Sequence, residues 1–311
     1  MFGWPAGGRE SGWVGIVTHG QRMDLAHVVR QAAARPQIRL LDSYRIERNE
    51  ADALERLRAA RKLKSFACTT VLAPGQYQLV QLENPGVPDD ERKDALRWRL
   101  KDVVDFPVDR ASIDVLDIPG SAAAGGRSAG VLVAAAAGDV VAARMALFAG
   151  AKVPLQAIDL PELAQRNVAA LFEEPNRGLA FLSLDETGGL LTLTHRGELY
   201  AFRRMDVSAP QLAEATGERQ RQLLERVALE LQRSLDTFDR QFSFVSVARL
   251  IVACTEVVDE LQAVLAENLY LPVQLMDLEQ VVDFPALPEL RNPQRQAQCL
   301  TVIGAALREG A

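Results

Sequence analysis

Two stretches of the chain alternate apolar and polar residues on either side of a short polar turn. In the first, GWVGIVTHGQRMDLAHVVR, apolar and β-branched runs flank His19 to Arg22. The second, RGLAFLSLDETGGLLTLTHRGELYAFRRM, repeats this design around the turn from Asp185 to Gly189. Such runs around small polar residues predict β-hairpins. Helices and strands alternate after each hairpin, so the pattern predicts two α/β halves of similar construction.

Residues 75–152, between the two hairpins, predict a smaller unit. The segment begins with a strand at YQLVQLE and continues with a helix over VPDDERKDALRWRLKDVVDF. Pro88 and acidic residues stand at the start of this helix, where the helix dipole favours them. Two further strands flank the Gly/Ala/Ser loop GSAAAGGRSAG, and a helix over DVVAARMALFAGA follows. The order β-α-β-β-α predicts an α+β module inserted into the first half.

The second half continues with a long helix, about residues 218–242. Apolar residues recur three and four positions apart along one face, which is typical of a core face but also of a coiled-coil seam. We favour the core face. The six residues are Leu224, Ala228, Leu231, Leu235, Phe238 and Phe242. A βαβ unit follows, and a single closing helix is predicted over NPQRQAQCLTVIGAALRE.

Composition and charge narrow the classes of function. The 311 residues are 48% hydrophobic and 24% charged, as in ordinary globular proteins. A net charge of −6 gives no reason to expect nucleic acid or anionic lipid as the main partner. The cysteines and histidines are scattered, so we expect no metal site and a reduced compartment. We expect neither a signal peptide nor a membrane span, and hence a cytoplasmic protein.

Several stretches resemble a known family. PGQYQLVQLENPGVPDDERKDALRWRLKDVVDFPVDRASIDVLDIPG, with ALRWRLKDVVDFPVD as its most specific part, is similar to the PilM-like proteins of type IV pilus biogenesis. Within them it most resembles the MshI proteins of the mannose-sensitive haemagglutinin (MSHA) pilus. AIDLPELAQRNVAALF, GLLTLTHRGELYAFRRMD and LELQRSLDTFDRQF agree in the same order, and the resemblance covers about residues 12–308.

The resemblance implies an actin-like (ribonuclease H-like) two-lobe α/β fold with a small α+β insertion, similar to the subdomain of FtsA, in the first lobe. Residues 1–74 would begin the first lobe and residues 75–152 would form the insertion. Residues 153–176 would return to the first lobe and supply a linking helix, and residues 177–311 would form the second lobe.

The resemblance also implies a function. Members of the family bind the cytoplasmic N-terminal segment of a PilN-like bitopic inner-membrane protein. We therefore expect a scaffold that is peripheral at the inner membrane through this partner, with other pilus assembly components nearby. The peptide would lie in a groove between the first lobe and the insertion. A type II secretion GspL-like cytoplasmic module is the alternative, although GspL chains continue through the membrane.

An actin-like ATPase needs three elements around its cleft. Two hairpin turns hold the phosphates, and a Gly-Gly pair lets the backbone approach the adenosine. The second turn retains Asp185, Gly188 and Gly189, with Thr187 as a phosphate contact. In the family's ATP binders the first turn resembles DIGSSSVK. The first turn here, VTHGQRM, lacks the acid and the lysine of that pattern. Ala253-Cys254 stands where Gly-Gly is expected.

Only one of the three elements keeps the required residues, which predicts a degenerate nucleotide site. We therefore expect no catalytic residues, no ATP hydrolysis and no cofactor. An ATP- and Mg-binding PilM-like switch stays the alternative, and Asp185 to Gly189 is equally typical of an ordinary hairpin turn. The sequence contains neither a GxxxxGK[ST] phosphate loop nor a GxSxG nucleophile motif.

The segment RWRLK is the candidate for partner contact. Helical spacing predicts a buried stripe of Leu96, Leu100, Val103 and Val104, which leaves Arg97, Trp98 and Lys101 near the rim. An aromatic side chain beside cations is typical of an interface hot spot. Ordinary half-buried packing of Trp98 is the other interpretation.

Overall fold

The structure is a computed structural model and describes residues 11–31, 34–120 and 130–309. Residues 1–10, for which no signal peptide is expected, and most of the predicted Gly/Ala/Ser loop lie outside the described residues. Three β-sheets organise the described chain, two of five strands and one of three. No helix in the described ranges is both long enough and apolar enough to cross a bilayer.

The first sheet grows from the predicted N-terminal hairpin. Its strands are β1 (Trp13–His19), β2 (Arg22–Val29), β3 (Gln37–Arg45), β4 (Ala67–Val71) and β8 (Leu155–Asp159), in the order β3-β2-β1-β4-β8. The first three strands are antiparallel, whereas β1, β4 and β8 are parallel. On one face lie α1 (Glu50–Arg61), which Asn49 caps, and α3 (Gly138–Gly150). We call this sheet with α1 and α3 the first lobe.

The second sheet repeats this arrangement. Its strands are β9 (Gly178–Leu184), β10 (Gly189–His195), β11 (Glu198–Met205), β12 (Val247–Cys254) and β13 (Val273–Leu275), in the order β11-β10-β9-β12-β13. Again three antiparallel strands from a hairpin are followed by two parallel ones. Its helices are α5 (Ala209–Glu214), α6 (Gly217–Gln241) and α7 (Leu261–Asn268). We call this unit the second lobe.

The long helix α6 confirms the core interpretation. All six apolar residues predicted on one face are buried, and they lie in the main core of the second lobe. Val227, on the same face, is buried with them. The helix therefore has its apolar face covered within the chain and does not present it as a coiled-coil seam.

Helices from distant parts of the chain lie between the two sheets. These are α4 (Pro161–Phe172), α8 (Pro293–Gln298) and α9 (Leu300–Ala306). The prediction of one closing helix is wrong, because the helix breaks at Cys299. The two parts have different surroundings: nearly every residue of α9 is buried, against β1, β2, β4 and α4, whereas α8 is mostly polar.

The third sheet contains β5 (Gln78–Leu82), β6 (Ser112–Ile118) and β7 (Gly130–Ala136), in the antiparallel order β5-β7-β6. Helix α2 (Asp89–Leu100) covers one face, and residues of the opposite face join the core of the second lobe. The strands and α2 fall within the segment predicted to be inserted. Helix α3 also falls within it but packs on the first sheet, and the bounds of the insertion stay a prediction.

The predicted stripe on α2 is correct for only part of its length. Leu96 and Leu100 are fully buried, and Val104 is half-buried. Val103 is 45% exposed, so its predicted burial is wrong. The regular helix ends at Leu100, and helical spacing therefore does not carry the buried face on to Val103.

Candidate functional site

The two hairpin turns face a common cavity, which we call the cleft. It has a volume of about 480 Å³, and residues 17–20 and 185–190 line it from the two lobes. The end of β4, the beginning of α4 and the end of β11 complete its walls. The structure therefore brings together the positions of two of the three elements that a nucleotide site requires, namely the two hairpin turns. All four predicted nucleotide-site residues, Asp185, Thr187, Gly188 and Gly189, lie in this lining.

The second turn is held together by its own acidic residue. Asp185 Oδ1 accepts hydrogen bonds from the backbone N–H of Thr187 at 2.7 Å and of Gly188 at 3.2 Å. It also accepts one from the Thr187 hydroxyl at 2.7 Å. Backbone N–H groups and hydroxyls are the donors with which a turn holds phosphate. In this structure the Asp185 carboxylate already occupies them, as in an ordinary Asx turn.

The two glycines of this turn have a structural role. Gly188 has φ = 141°, and a Cβ there would lie 2.4 Å from the Met205 carbonyl oxygen. A Cβ on Gly189 would lie 3.1 Å from Leu184 and 3.2 Å from Met205. Only glycine fits Gly188 without moving β11. The close approach of β11 therefore accounts for Gly188 without any ligand.

The first turn offers few groups to a phosphate. The Thr18 hydroxyl donates to Glu50 at 2.8 Å, and Arg144 donates to the same carboxylate at 2.5 Å. His19 is half-buried, and Gly20 has φ = 55°. The side chain of Thr18 is thus directed to α1, and the turn contributes neither lysine nor acid to the cleft.

The third element, the position where Gly-Gly is expected, lies outside the cleft. Ala253 and Cys254, at the end of β12, line a separate cavity of about 560 Å³ with α7 and the beginning of α8. Neither residue is among those that line the cleft. Ala253 is buried, and burial raises the pKa of the Cys254 thiol. The described residues therefore do not unite the three elements in one cavity.

The charges in the cleft also disfavour a phosphate. Asp185, Glu186 and Asp206 line it, against the single guanidinium of Arg204. Arg204 is already paired with Glu162: its Nε and Nη2 lie 3.0 and 2.7 Å from Glu162 Oε1. An anion entering without a divalent cation meets more negative than positive charge.

A larger cavity lies where the third sheet meets the first lobe, and we call it the groove. Its volume is about 860 Å³. Residues 112–114 and 134–136 of the third sheet line one side, and residues 158–160 with α4 line the other. Its floor includes the half-buried apolar residues Ala134, Val141, Ile158 and Leu163.

Ion pairs line the groove and leave few unpaired charges. Lys93 Nζ lies 3.1 Å from Asp114, and Arg166 Nη1 lies 3.3 Å from Glu198. Deeper in, Arg308 Nη1 lies 3.2 Å from Asp159. Burial raises the pKa of Asp159 despite the opposing effects of the Leu160 N–H and of Arg308. The groove thus combines an apolar floor with a nearly neutral, polar rim.

The predicted partner-contact residues separate into two environments. Arg97 Nη1 donates to the carbonyl oxygens of Val108 and, at 3.1 Å, Ala111, so it braces the loop before β6. Trp98 is 77% exposed, and the half-buried interpretation is wrong. Lys101 Nζ lies 5.5 Å from the centre of the Trp98 ring, within range of a cation–π contact. None of the three lines the groove.

The sequence did not mark Tyr77, Glu162 or Arg204 as site residues. Tyr77 Oη donates to Glu162 Oε2 at 2.5 Å, and Arg204 Nη2 donates to Tyr77 Oη at 2.6 Å. An acid at the position of Glu162, just after Pro161, is common in the first turn of any helix. No local pattern could therefore have joined these three residues.

The chain is similar to a solved structure. A PilM-PilN type IV pilus biogenesis complex has a TM-score of 0.74 and 20% sequence identity, over 96% of this chain and 98% of that chain. Both lobes repeat three antiparallel strands followed by two parallel ones. The chain has the actin-like fold. The predicted fold class is confirmed.

Two other solved structures are less similar to the chain. A protein with actin-like ATPase fold from Bacteroides thetaiotaomicron has a TM-score of 0.48 and 8% identity, over 94% of this chain and 96% of that chain. The cytoplasmic domain of EpsL, an inner membrane component of the type II secretion system of Vibrio cholerae, has a TM-score of 0.46 and 12% identity, over 93% and 94%. No protein-family model and no curated protein matches the chain.

Proposed function

We propose that this protein is a non-catalytic actin-like scaffold of a type IV pilus assembly machine. In this proposal the groove binds the cytoplasmic N-terminal segment of a PilN-like bitopic inner-membrane protein. The protein would be cytoplasmic and would reach the inner membrane through that partner and neighbouring pilus components. The resemblance of ALRWRLKDVVDFPVD to MshI proteins favours the MSHA-type system.

The groove is the observation that carries this proposal. Its volume is about 860 Å³, and its lining brings together the third sheet, β8, α4 and residues 196–198 of the second lobe. The strand β6 is an edge strand of its sheet and contributes residues 112–114 to the groove wall. An edge strand beside an apolar floor suits a peptide in extended conformation, which can use backbone hydrogen bonds and side-chain pockets together.

The cleft supports a role without catalysis. Asp185 occupies the N–H groups of Thr187 and Gly188, and the Ala253-Cys254 pair lies outside the cleft lining. Hydrolysis requires a held phosphate and a placed Mg²⁺. Because Oδ1 of the carboxylate that would place the metal is engaged within its own turn, we infer that the protein does not turn over ATP.

A peptide-binding experiment tests the groove. Synthetic peptides with the N-terminal segments of PilN-like proteins would be titrated by fluorescence anisotropy. Val141, in the groove floor, and Met145, 57% exposed on the same helix, provide a matched pair. Val141→Asp should weaken binding by about tenfold or more, equivalent to about 1.4 kcal/mol. Met145→Asp should bind as wild type does.

Two results would contradict this proposal. One is the absence of binding by every peptide in the panel. The other is an equal loss of affinity in both variants, which would show that the effect arises outside the groove. Co-purification with type II secretion components, instead of pilus components, would favour the GspL-like alternative.

A nucleotide-responsive switch is the second candidate. It is favoured by one observation, namely that the turns of both hairpins line the same cleft. A ligand that binds only the folded state stabilises it by about 2.7 kcal/mol at 100 times its Kd. Thermal unfolding with millimolar Mg-ATP tests this candidate directly, and an unchanged Tm would contradict it.

A further inference from the structure

Tyr77, Glu162 and Arg204 form one closed hydrogen-bond network. Glu162 Oε2 accepts from the Tyr77 hydroxyl at 2.5 Å. Glu162 Oε1 accepts from Arg204 Nε at 3.0 Å and from Nη2 at 2.7 Å. Arg204 Nη2 also donates to the Tyr77 oxygen at 2.6 Å. Each residue thus contacts both others, and we call this set the latch.

Two of the three latch residues are buried. Glu162 is 1% exposed and Tyr77 is 7% exposed, while the Arg204 side chain is 38% exposed toward the cleft. Burial raises the pKa of Tyr77, so its hydroxyl stays protonated and can donate. A buried carboxylate that loses its partners is strongly unfavourable. The three residues therefore stabilise one particular relative position.

Each member belongs to a different part of the fold. Tyr77 lines the groove and immediately precedes β5 of the third sheet. Glu162 lies in the first turn of α4, between the lobes. Arg204 lies on β11 of the second lobe and lines the cleft. The latch consequently connects a residue of the groove wall, Tyr77, to a residue of the cleft wall, Arg204.

In an actin-like ATPase, a nucleotide held by both hairpin turns would bridge the two lobes. Here the N–H groups of Thr187 and Gly188 in the second turn already donate to Asp185. We propose that the latch, without a nucleotide, joins the second lobe to the third sheet through α4. It fixes the second lobe relative to the third sheet and thereby keeps the groove wall in one position.

Apolar contacts join the same two units, since Ile118 and Leu132 of the third sheet lie in the core of the second lobe. Such contacts are non-directional and tolerate small displacements. The latch is directional, because a fully paired buried network accepts only one geometry. It therefore selects one arrangement among those that the apolar contact would allow. This holds whichever partner occupies the groove.

The experiment measures the distance between the third sheet and the second lobe. Spin labels at Trp98→Cys and Leu229→Cys, which replace residues 77% and 44% exposed, report on the two units by pulsed electron spin resonance. Cys254→Ala removes the half-buried cysteine, whereas Cys68 and Cys299 are buried. Labelled protein without other changes should give one narrow distance distribution, unchanged by millimolar Mg-ATP.

Disruption of the latch should broaden this distribution to roughly twice its width or displace it. The double variant Glu162→Gln/Arg204→Met leaves no unpaired buried charge, so it is the variant expected to fold. Tyr77→Phe, which removes only the hydroxyl, should broaden the distribution in the same direction by a smaller amount.

Asp159→Asn/Arg308→Met is the matched control. The Asp159 side chain is 2% exposed and the Arg308 side chain 36% exposed. Neither residue lies in the second sheet or in α5, α6 or α7. It should retain the narrow distribution. An unchanged distribution in Glu162→Gln/Arg204→Met, an equal broadening in the control, or a displacement by Mg-ATP would each overturn the inference. No peptide is present, so these results are independent of the proposed function.

Discussion

Replacing Gly304 by alanine tests how closely α9 approaches α4. In an ordinary helix interior, Gly→Ala stabilises by about 1 kcal/mol. At Gly304, however, the new Cβ would lie 2.1 Å from the carbonyl oxygen of Ala164 and 2.6 Å from its carbonyl carbon. Favourable non-bonded contacts begin at about 3.5 Å, so the two helices would have to separate by more than about 1 Å.

The surroundings make that separation costly. The atoms opposite Gly304 are backbone atoms, which cannot avoid the clash by a change of rotamer. On the other side, a Cβ at Gly15 of β1 would already lie 2.5 Å from the Val302 carbonyl oxygen, so α9 has no room to retreat. Overpacking typically costs about 1–3 kcal/mol and sometimes more. We expect Gly304→Ala to lower the free energy of unfolding by about 2 kcal/mol net.

Urea unfolding measures this change as a shift of the midpoint at constant slope. Gly150→Ala is the matched control, because Gly150 ends α3 and a Cβ there would have no neighbour within 4 Å. That variant should be neutral or more stable by up to about 1 kcal/mol. If both glycine variants are at least as stable as wild type, the inferred close approach of α9 to α4 is incorrect.

Two further predictions concern the core and the pH dependence of stability. Leu231→Ala, at a fully buried position of α6, should cost about 2–5 kcal/mol, whereas Leu229→Ala on the same helix, 44% exposed, should cost less than about 1 kcal/mol in urea unfolding. Burial raises the pKa of Asp42, but hydrogen bonds from Tyr44 and Arg61 outweigh this, so the pKa lies below its ordinary 3.8. A carboxyl group whose pKa is lowered by folding stabilises the fold at pH values above its ordinary pKa. That contribution is lost as the pH falls through the pKa of the folded state. Asp42→Asn should therefore lower the Tm at pH 7, and its difference from wild type should shrink between about pH 5 and pH 2; a constant difference would contradict this.

Local sequence patterns were sufficient to predict most of the individual helices and strands. Both hairpins follow from apolar runs around a polar turn, and the turn residues lie within a few positions of the strands that they join. The buried face of α6 follows from spacing along one helix. The failures at Val103 and Cys299 occur where a helix ends or breaks, because tertiary contacts set those positions more than residue spacing does.

The candidate site depended on contacts that spacing does not encode. Tyr77 and Arg204 are 127 positions apart, and only the folded chain joins them through Glu162. The sequence placed Asp185 to Gly189 in a turn, and both the phosphate loop and the ordinary turn use those residue types. The hydrogen bonds of Asp185 within the turn favour the ordinary turn.

The sequence by itself determined two hairpin-led α/β halves, because alternation and helical periodicity are local properties of the chain. It also supplied the resemblance from which the actin-like fold was expected. Only the tertiary structure decided that the two turns face one cleft, that Ala253-Cys254 lies outside it, and that a separate groove forms beside the first lobe. Cavities form between elements distant along the chain, so their shape and charge depend on how sheets and helices dock.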